Sequence, residues 1–122
     1  RSVITVGAID ARHPLKVGTF SSFGPTRDGR EKPEVSAPGV AVRAAQRDTG
    51  TGVVAMCGTS MAAPHVTGAV ALLLSRAART GAVIPGANQV RNKLCNKAAA
   101  AGPWDRGRGF GVLNVTGLLE AL

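Results

Sequence analysis

Ser60 is the residue in this chain best placed to do chemistry. It stands in Gly58-Thr59-Ser60-Met61-Ala62-Ala63-Pro64-His65-Val66-Thr67-Gly68, between a glycine and the apolar run Val66 to Leu74. A hydroxyl at the opening of a helix lies beside unpaired backbone N–H groups and the positive end of the helix dipole. It can attack a carbonyl while those groups hold the oxyanion that forms. Serine is also a common helix N-cap, so a bare glycine-x-serine has a purely structural reading as well. A nucleophilic serine further needs a general base within hydrogen-bond reach and a carboxylate to orient that base. His65 lies five residues on, and the 3.6-residue period turns it about 140° round the axis, away from the Ser60 hydroxyl. The other histidine, His13, precedes Pro14 in a loop-like stretch three residues after Asp10. For Cys57, three residues before Ser60, no helix N-terminus or histidine is placed as well as for Ser60.

These groups must be held by the elements around them. Ser2 to Ile9 is β-branched and nearly all apolar, the pattern of a strand covered on both faces in a parallel sheet, and it ends at Asp10. From Ala11 to Gly39, Pro14, Gly18, Gly24-Pro25, Asp28-Gly29, Pro33 and Pro38-Gly39 forbid a long helix, leaving short extended pieces at Thr19–Ser21 and Glu34–Ser36. Val40–Arg43 and Val53–Met56 form an antiparallel pair around the turn Gln46 to Gly52. A buried helix opens at Thr59 or Ser60 and runs to about Arg79, with Gly81 as its stop and Pro64 tolerated one turn in. A second helix covers Ala87 to Ala100, with Val90, Leu94 and Ala98 inward, and Asn114 N-caps a last helix through Leu119. The glycine-rich Gly107–Gly111 lacks the lysine and hydroxyl residue of a phosphate loop, so its glycines serve close packing around Phe110.

The 122 residues, 44% hydrophobic, suffice for one packed domain. No apolar run approaches the roughly 18 residues of a membrane span, and no charged-then-apolar leader opens the chain, which starts almost directly in a strand pattern as if cut from a larger protein. The net charge of +8 raises the question of an acidic partner. The basic residues are scattered from Arg1 to Arg108, and with no tyrosine, one tryptophan and three phenylalanines there are few stacking platforms; no nucleic-acid partner is expected. Cys57 and Cys95 lack metal-site spacing and are expected to be free thiols, a single bridge between them being the alternative.

The run Gly58 to Gly68 resembles the nucleophile motif of the subtilisin-like serine proteases, the subtilases. Val3–Ala8 is similar to the family's strand before the last catalytic segment, and Phe20–Pro25 and Lys32–Val40 to its connecting loops. Gln89–Arg91 and Gly109–Asn114 match its C-terminal helix and closing loop. Thr67 stands where alanine is usual, Cys57 in the approach to the serine, and Glu34 where aspartate is common.

The resemblance implies an α/β fold: the C-terminal part of a doubly wound, mostly parallel sheet, with helices on both faces and a buried helix starting at the nucleophile. Residues 1–122 would be part of a catalytic domain. Its function would be serine endopeptidase chemistry through an Asp/His/Ser triad on a polypeptide substrate, with Ser60 acylated and its own N–H an oxyanion donor. Gly58 and Thr59 would shape the approach. Met61 would line the leaving-group side and be liable to oxidation. The triad order puts aspartate and histidine upstream, with the oxyanion asparagine ahead of the Val3 strand. Asp10, Asp28, Asp48 and Asp105 lack the family's aspartate motif. The isolated chain is therefore expected to be inactive, to need the upstream part of its domain as partner, and to expose apolar surface that promotes association. No cofactor is needed for the chemistry. Subtilases often carry structural calcium, for which Asp10, Glu34 or nearby carbonyls could supply oxygens in the parent, but calcium takes roughly six to eight oxygens and no loop supplies such a cluster, so no metal ligand is assigned. The resemblance also implies secretion and no membrane partner.

Two rivals remain. An α/β-hydrolase places its aspartate and histidine after the serine, where this chain has only Asp105 and His65, which the resemblance to the subtilases implies is a packed structural residue. A non-catalytic subtilase-like module would keep the fold for binding, with Ser60 as an N-cap.

Overall fold

A computed structural model describes residues 3–99 and 101–122. Among them, the strands are β1 (Val6–Asp10), β2 (His13–Val17), β3 (Val35–Pro38), β4 (Val42–Ala45) and β5 (Val53–Met56). The helices are α1 (Thr59–Thr80), α2 (Ala87–Asn96) and α3 (Val115–Leu119). One sheet has the order β2-β1-β3 and a second consists of β4 and β5.

β1 and β3 pair in parallel, from Val6 opposite Val35 to Ile9 opposite Pro38. Alternation along β1 sends Ala8, with Val6 beside it, toward α1, where Val35 and Ala37 of β3 join them. The opposite face is also buried, and loops cover it: a Cβ on Gly7 would meet Gly107, Pro33 and Ser21. The apolar run thus reports burial on both faces, as expected, with loops where the helix on the second face was expected. Its hydrogen-bonded part is shorter than the Ser2–Ile9 pattern. Ser2 lies outside the described residues, and Val3–Thr5 precede β1.

β2 is an antiparallel strand within the stretch expected to be irregular, with a register irregularity between Ile9 and Asp10. It lies at the sheet edge, where proline is tolerated because its missing N–H can face away from the ladder. β4 and β5 form the expected antiparallel pair, with Val42 opposite Met56. β4 starts two residues later than Val40 because Gly39 is bonded back to β1 and Ala41 turns the chain with φ 51°.

α1 ends as expected: Gly81, in the left-handed conformation at φ 70°, donates its N–H to the Ala77 carbonyl. The helix was expected to be buried, and it is so along one stripe: Ala62, Val66, Ala69, Leu73 and Ala77. Leu73 is fully buried, whereas its neighbour Leu72 is 54% exposed. Within these residues β1, β3 and α3 pack on one side of α1 only, so its remaining apolar positions stay uncovered. α2 contributes Val90 and Leu94 to the same core, which Ala98 and Leu118 complete. It stops at Asn96, short of Ala100, because Ala99 exchanges backbone hydrogen bonds with Val112 and draws the chain out of the helix; Ala100 itself lies outside the described residues. Asn114 caps α3, its side chain accepting from the Gly117 N–H.

The glycine-rich segment runs beside β3. Phe110 donates to the Glu34 carbonyl, Ser36 to the Gly111 carbonyl and Leu113 to the Ser36 carbonyl. A Cβ on Gly109 would come within 2.4 Å of the Glu34 carbonyl oxygen, so close packing is what the glycines provide.

Candidate active site

The end of β5 leads through Cys57 and Gly58 straight into α1, which sets Thr59 and Ser60 as its first two residues. Gly58 holds φ 153° and ψ 158°, a backbone state that a side chain would strain. Its N–H donates to the Gly39 carbonyl at 2.8 Å, and the Gly39 N–H donates to the Ile9 carbonyl at 2.9 Å. Two hydrogen bonds therefore connect the approach to Ser60 with the core strand β1. The Ala41 N–H donates to Cys57 Sγ at 3.2 Å and ties the same approach to the start of β4.

Gly58, not Ser60, is the helix cap, and no side chain caps this helix. The N-cap explanation for the serine is thereby removed. Ser60 is exposed at the second helical position, with its hydroxyl free of capping duty. The Met61 N–H closes a turn on the Gly58 carbonyl at 3.0 Å. Among the described residues the Ser60 N–H has no backbone acceptor, so an orphan donor lies where an oxyanion would need one.

Ser60 and Met61 open on a shallow groove of about 370 Å³, walled by Val42, Arg43 and Ala44 of β4 and by Pro64 and His65 of α1. His65 was expected to be packed. Instead it is exposed, and its Nδ1–H donates to the Met61 carbonyl at 2.8 Å, one turn back on its own helix. A carbonyl can only accept, so this bond fixes the proton on Nδ1. On the other side of the helix opening, Thr59 borders a cleft of about 360 Å³ with Phe20, Phe23, Ser21 and Pro33. Phe20 and Phe23 are 45% and 59% exposed there, and the Arg106 guanidinium lies over the Phe23 ring.

Gly58, Thr59, Ser60 and Met61 are therefore brought together, as their adjacency requires. Among the described residues no imidazole or carboxylate is hydrogen-bonded to Ser60. His13 is on β2, and the four aspartates are engaged elsewhere: Asp10 with Arg12, Asp28 with Arg30, Asp48 with Arg47 and Asp105 with Arg108.

The two acids considered for calcium do not fit a metal ion. Asp10 accepts from the Arg12 N–H, Nε and Nη2, and these bonds bring its carboxyl down to about 2. Glu34 is fully buried, accepting from Lys32 Nζ, from Arg91 Nε at 3.0 Å and from the Thr5 N–H at 2.8 Å. Burial pushes the Glu34 carboxyl up, and the bonds from Lys32, Thr5 and Arg91 together outweigh it, so the net shift is downward. Lys32 Nζ also donates to the Val3 carbonyl at 2.8 Å. An ammonium thus stands among the oxygens that a cation would use.

The β4 wall of the groove was missed in the sequence. The signal was present, because the expected antiparallel pairing sets β4 beside β5 and hence beside the approach to Ser60. Cys57 and Cys95 are free, Cys57 exposed and Cys95 buried, which rules out a bridge between them.

Comparison with known proteins places this geometry. The model of the subtilase family matches residues 1–111. Subtilisin DY of Bacillus licheniformis is 40% identical over 101 residues, which cover 83% of this chain and 31% of that protein. Among solved structures, the self-cleaved protease domain of PatA superposes with a TM-score of 0.77 at 35% identity, over 98% of this chain and 41% of the other. Fervidolysin from Fervidobacterium pennivorans, a keratinolytic enzyme related to subtilisin, gives 0.76 at 30% identity, over 98% of this chain and 19% of the other. The chain spans less than half the length of each. The family model along nearly all of the sequence and the shared α/β fold agree, and this chain belongs to the subtilase family of serine proteases.

Proposed function

We propose that residues 1–122 carry the nucleophile part of a serine endopeptidase whose Asp/His/Ser triad is completed by chain outside them. The observation that carries this reading is Ser60: exposed, at the second position of a long helix, and not used as its cap. In this reading Ser60 Oγ attacks the scissile carbonyl of a polypeptide and forms an acyl-enzyme, which water then hydrolyses. The Ser60 N–H donates to the oxyanion, Gly58 and Thr59 keep the approach open, and Met61 faces the leaving group. The general base and its orienting carboxylate come from elsewhere, because neither His13 nor His65 is bonded to Ser60. β1 and β3 are then the part of a larger, doubly wound parallel sheet that ends beside the nucleophile. As in the family it resembles, the parent is secreted, and residues 1–122 alone have no turnover.

A fluorophosphonate probe tests this on the full-length protein. Labelling that maps to Ser60 and disappears in Ser60→Ala, together with loss of peptide cleavage, supports the reading. A full-length protein that stays unlabelled and cleaves no peptide fits a non-catalytic module instead. Turnover by residues 1–122 alone would refute the missing-partner part.

A further inference from the structure

The groove beside Ser60 has one fixed charge on its walls, and that charge is unpaired. Arg43 faces Met61 and His65 across it, while no carboxylate lines it. Five arginines pair with acids, Arg12 with Asp10, Arg30 with Asp28, Arg47 with Asp48, Arg91 with Glu34 and Arg108 with Asp105, and none of them lines this groove; Arg27, Arg76, Arg79 and Arg106 lie outside it as well. Among the described residues Arg43 has no such partner. The adjacent end of α1 adds to the same sign, since its first turn has no acidic residue to offset the positive end of the dipole.

We propose that Arg43 is a specificity residue which favours substrates with Asp or Glu within about two residues, or ~7 Å of extended chain, of the scissile bond. The proposal rests on the reading of Ser60 as the nucleophile. With Met61 facing the leaving group, the acidic residue lies on the C-terminal side of that bond. Its carboxylate pairs with the guanidinium, which presents several N–H donors in a plane, and its methylenes lie on Val42 and Pro64. Arg43 is exposed, so the pair is screened by water and salt, and the preference is a modest one.

The test uses the full-length protein, with active Ser60 first counted by fluorophosphonate labelling. Internally quenched peptides then vary each of the two positions after the scissile bond among Glu, Gln and Lys. The expected kcat/KM is about two- to fivefold higher for Glu than for Gln, the size of an exposed ion pair, and the ratio shrinks at high salt. Arg43→Gln removes the preference and Arg43→Glu turns it toward Lys. A wild-type protein indifferent to Glu, or a preference that survives Arg43→Gln, overturns the inference while leaving the nucleophile reading intact. A protein that neither labels nor cleaves overturns both. If Arg43→Glu fails to fold, Arg43→Gln and the salt dependence of the wild type still decide.

Discussion

Gly58 donates its N–H to the Gly39 carbonyl, and the two backbones approach because Gly39 has no side chain. A Cβ on Gly39 would lie 2.5 Å from the Ala8 Cβ and 2.8 Å from the Gly58 carbonyl oxygen. Gly39→Ala should push the approach to Ser60 off β1. Overpacking of this kind costs about 1–3 kcal/mol, readable as a shift in the urea midpoint. Fluorophosphonate labelling should slow in parallel. Unchanged stability and labelling would mean that the approach is held by something other than this contact.

The Lys32 ammonium does at Glu34 what a bound cation would do, joining the buried carboxylate to the Val3 carbonyl. Lys32→Met leaves Glu34 with Arg91 and the Thr5 N–H, at an expected cost of about 1–3 kcal/mol. Amide exchange at Thr5, measured against Ala8 in β1, should accelerate in the variant. Calcium should leave that ratio unchanged in the wild type; slowing of Thr5 exchange by calcium would show that a metal ion enters despite Lys32.

Asp10 offers a test by pH. Its folded-state carboxyl lies at about 2 rather than 3.8, chiefly through the side chain of Arg12 and then its backbone N–H. A depressed carboxyl stabilises the fold fully above the ordinary value and loses that contribution as pH falls from about 3.8 through about 2. In Arg12→Gln the carboxyl titration followed by carbon NMR should move back toward 3.8. A midpoint still near 2 would assign the shift to another group.

The thiols should separate cleanly. Cys57 is exposed and Cys95 is buried, with burial pushing the Cys95 thiol up. A disulfide reagent should modify Cys57 in the folded protein and Cys95 only on unfolding. An adduct on Cys57, three residues before Ser60, should also reduce fluorophosphonate labelling, and Cys57→Ser should remove that sensitivity. Modification of both thiols at one rate would contradict the burial of α2.

Legibility followed the range of the interactions. α1 could be bounded because its signals are local: the apolar run, Pro64 one turn in and the left-handed Gly81. The cap on α3 was equally local. β2 was hidden because its pairing with β1 is long-range and Pro14 argues against a strand anywhere but an edge. The end of α2 was overrun for a similar reason, since Val112, far along the chain, decides where Ala99 goes. At the site, the serine and its neighbours could be read from one contiguous run. The position of His65 could not, because helical period gives its angle from Ser60 and says nothing of whether anything covers it. Arg43 stood in the expected pairing of Val40–Arg43 with Val53–Met56, but its place on the groove beside Ser60 depends on how that pair lies against the start of α1.

The stripe that seats α1 on the sheet is rich in small residues: Ala62 and Ala69 on the helix, with Ala8 and Ala37 on the strands. Contacts between methyl groups leave no rotamers to rearrange, so main-chain geometry sets the height of the helix above β1. Ser60 has an address written in backbone and an identity written in one exposed side chain. The two are separable: Ser60→Cys should exchange hydroxyl for thiol while leaving the position in place, and this segment can therefore be treated as a mount for different side-chain groups.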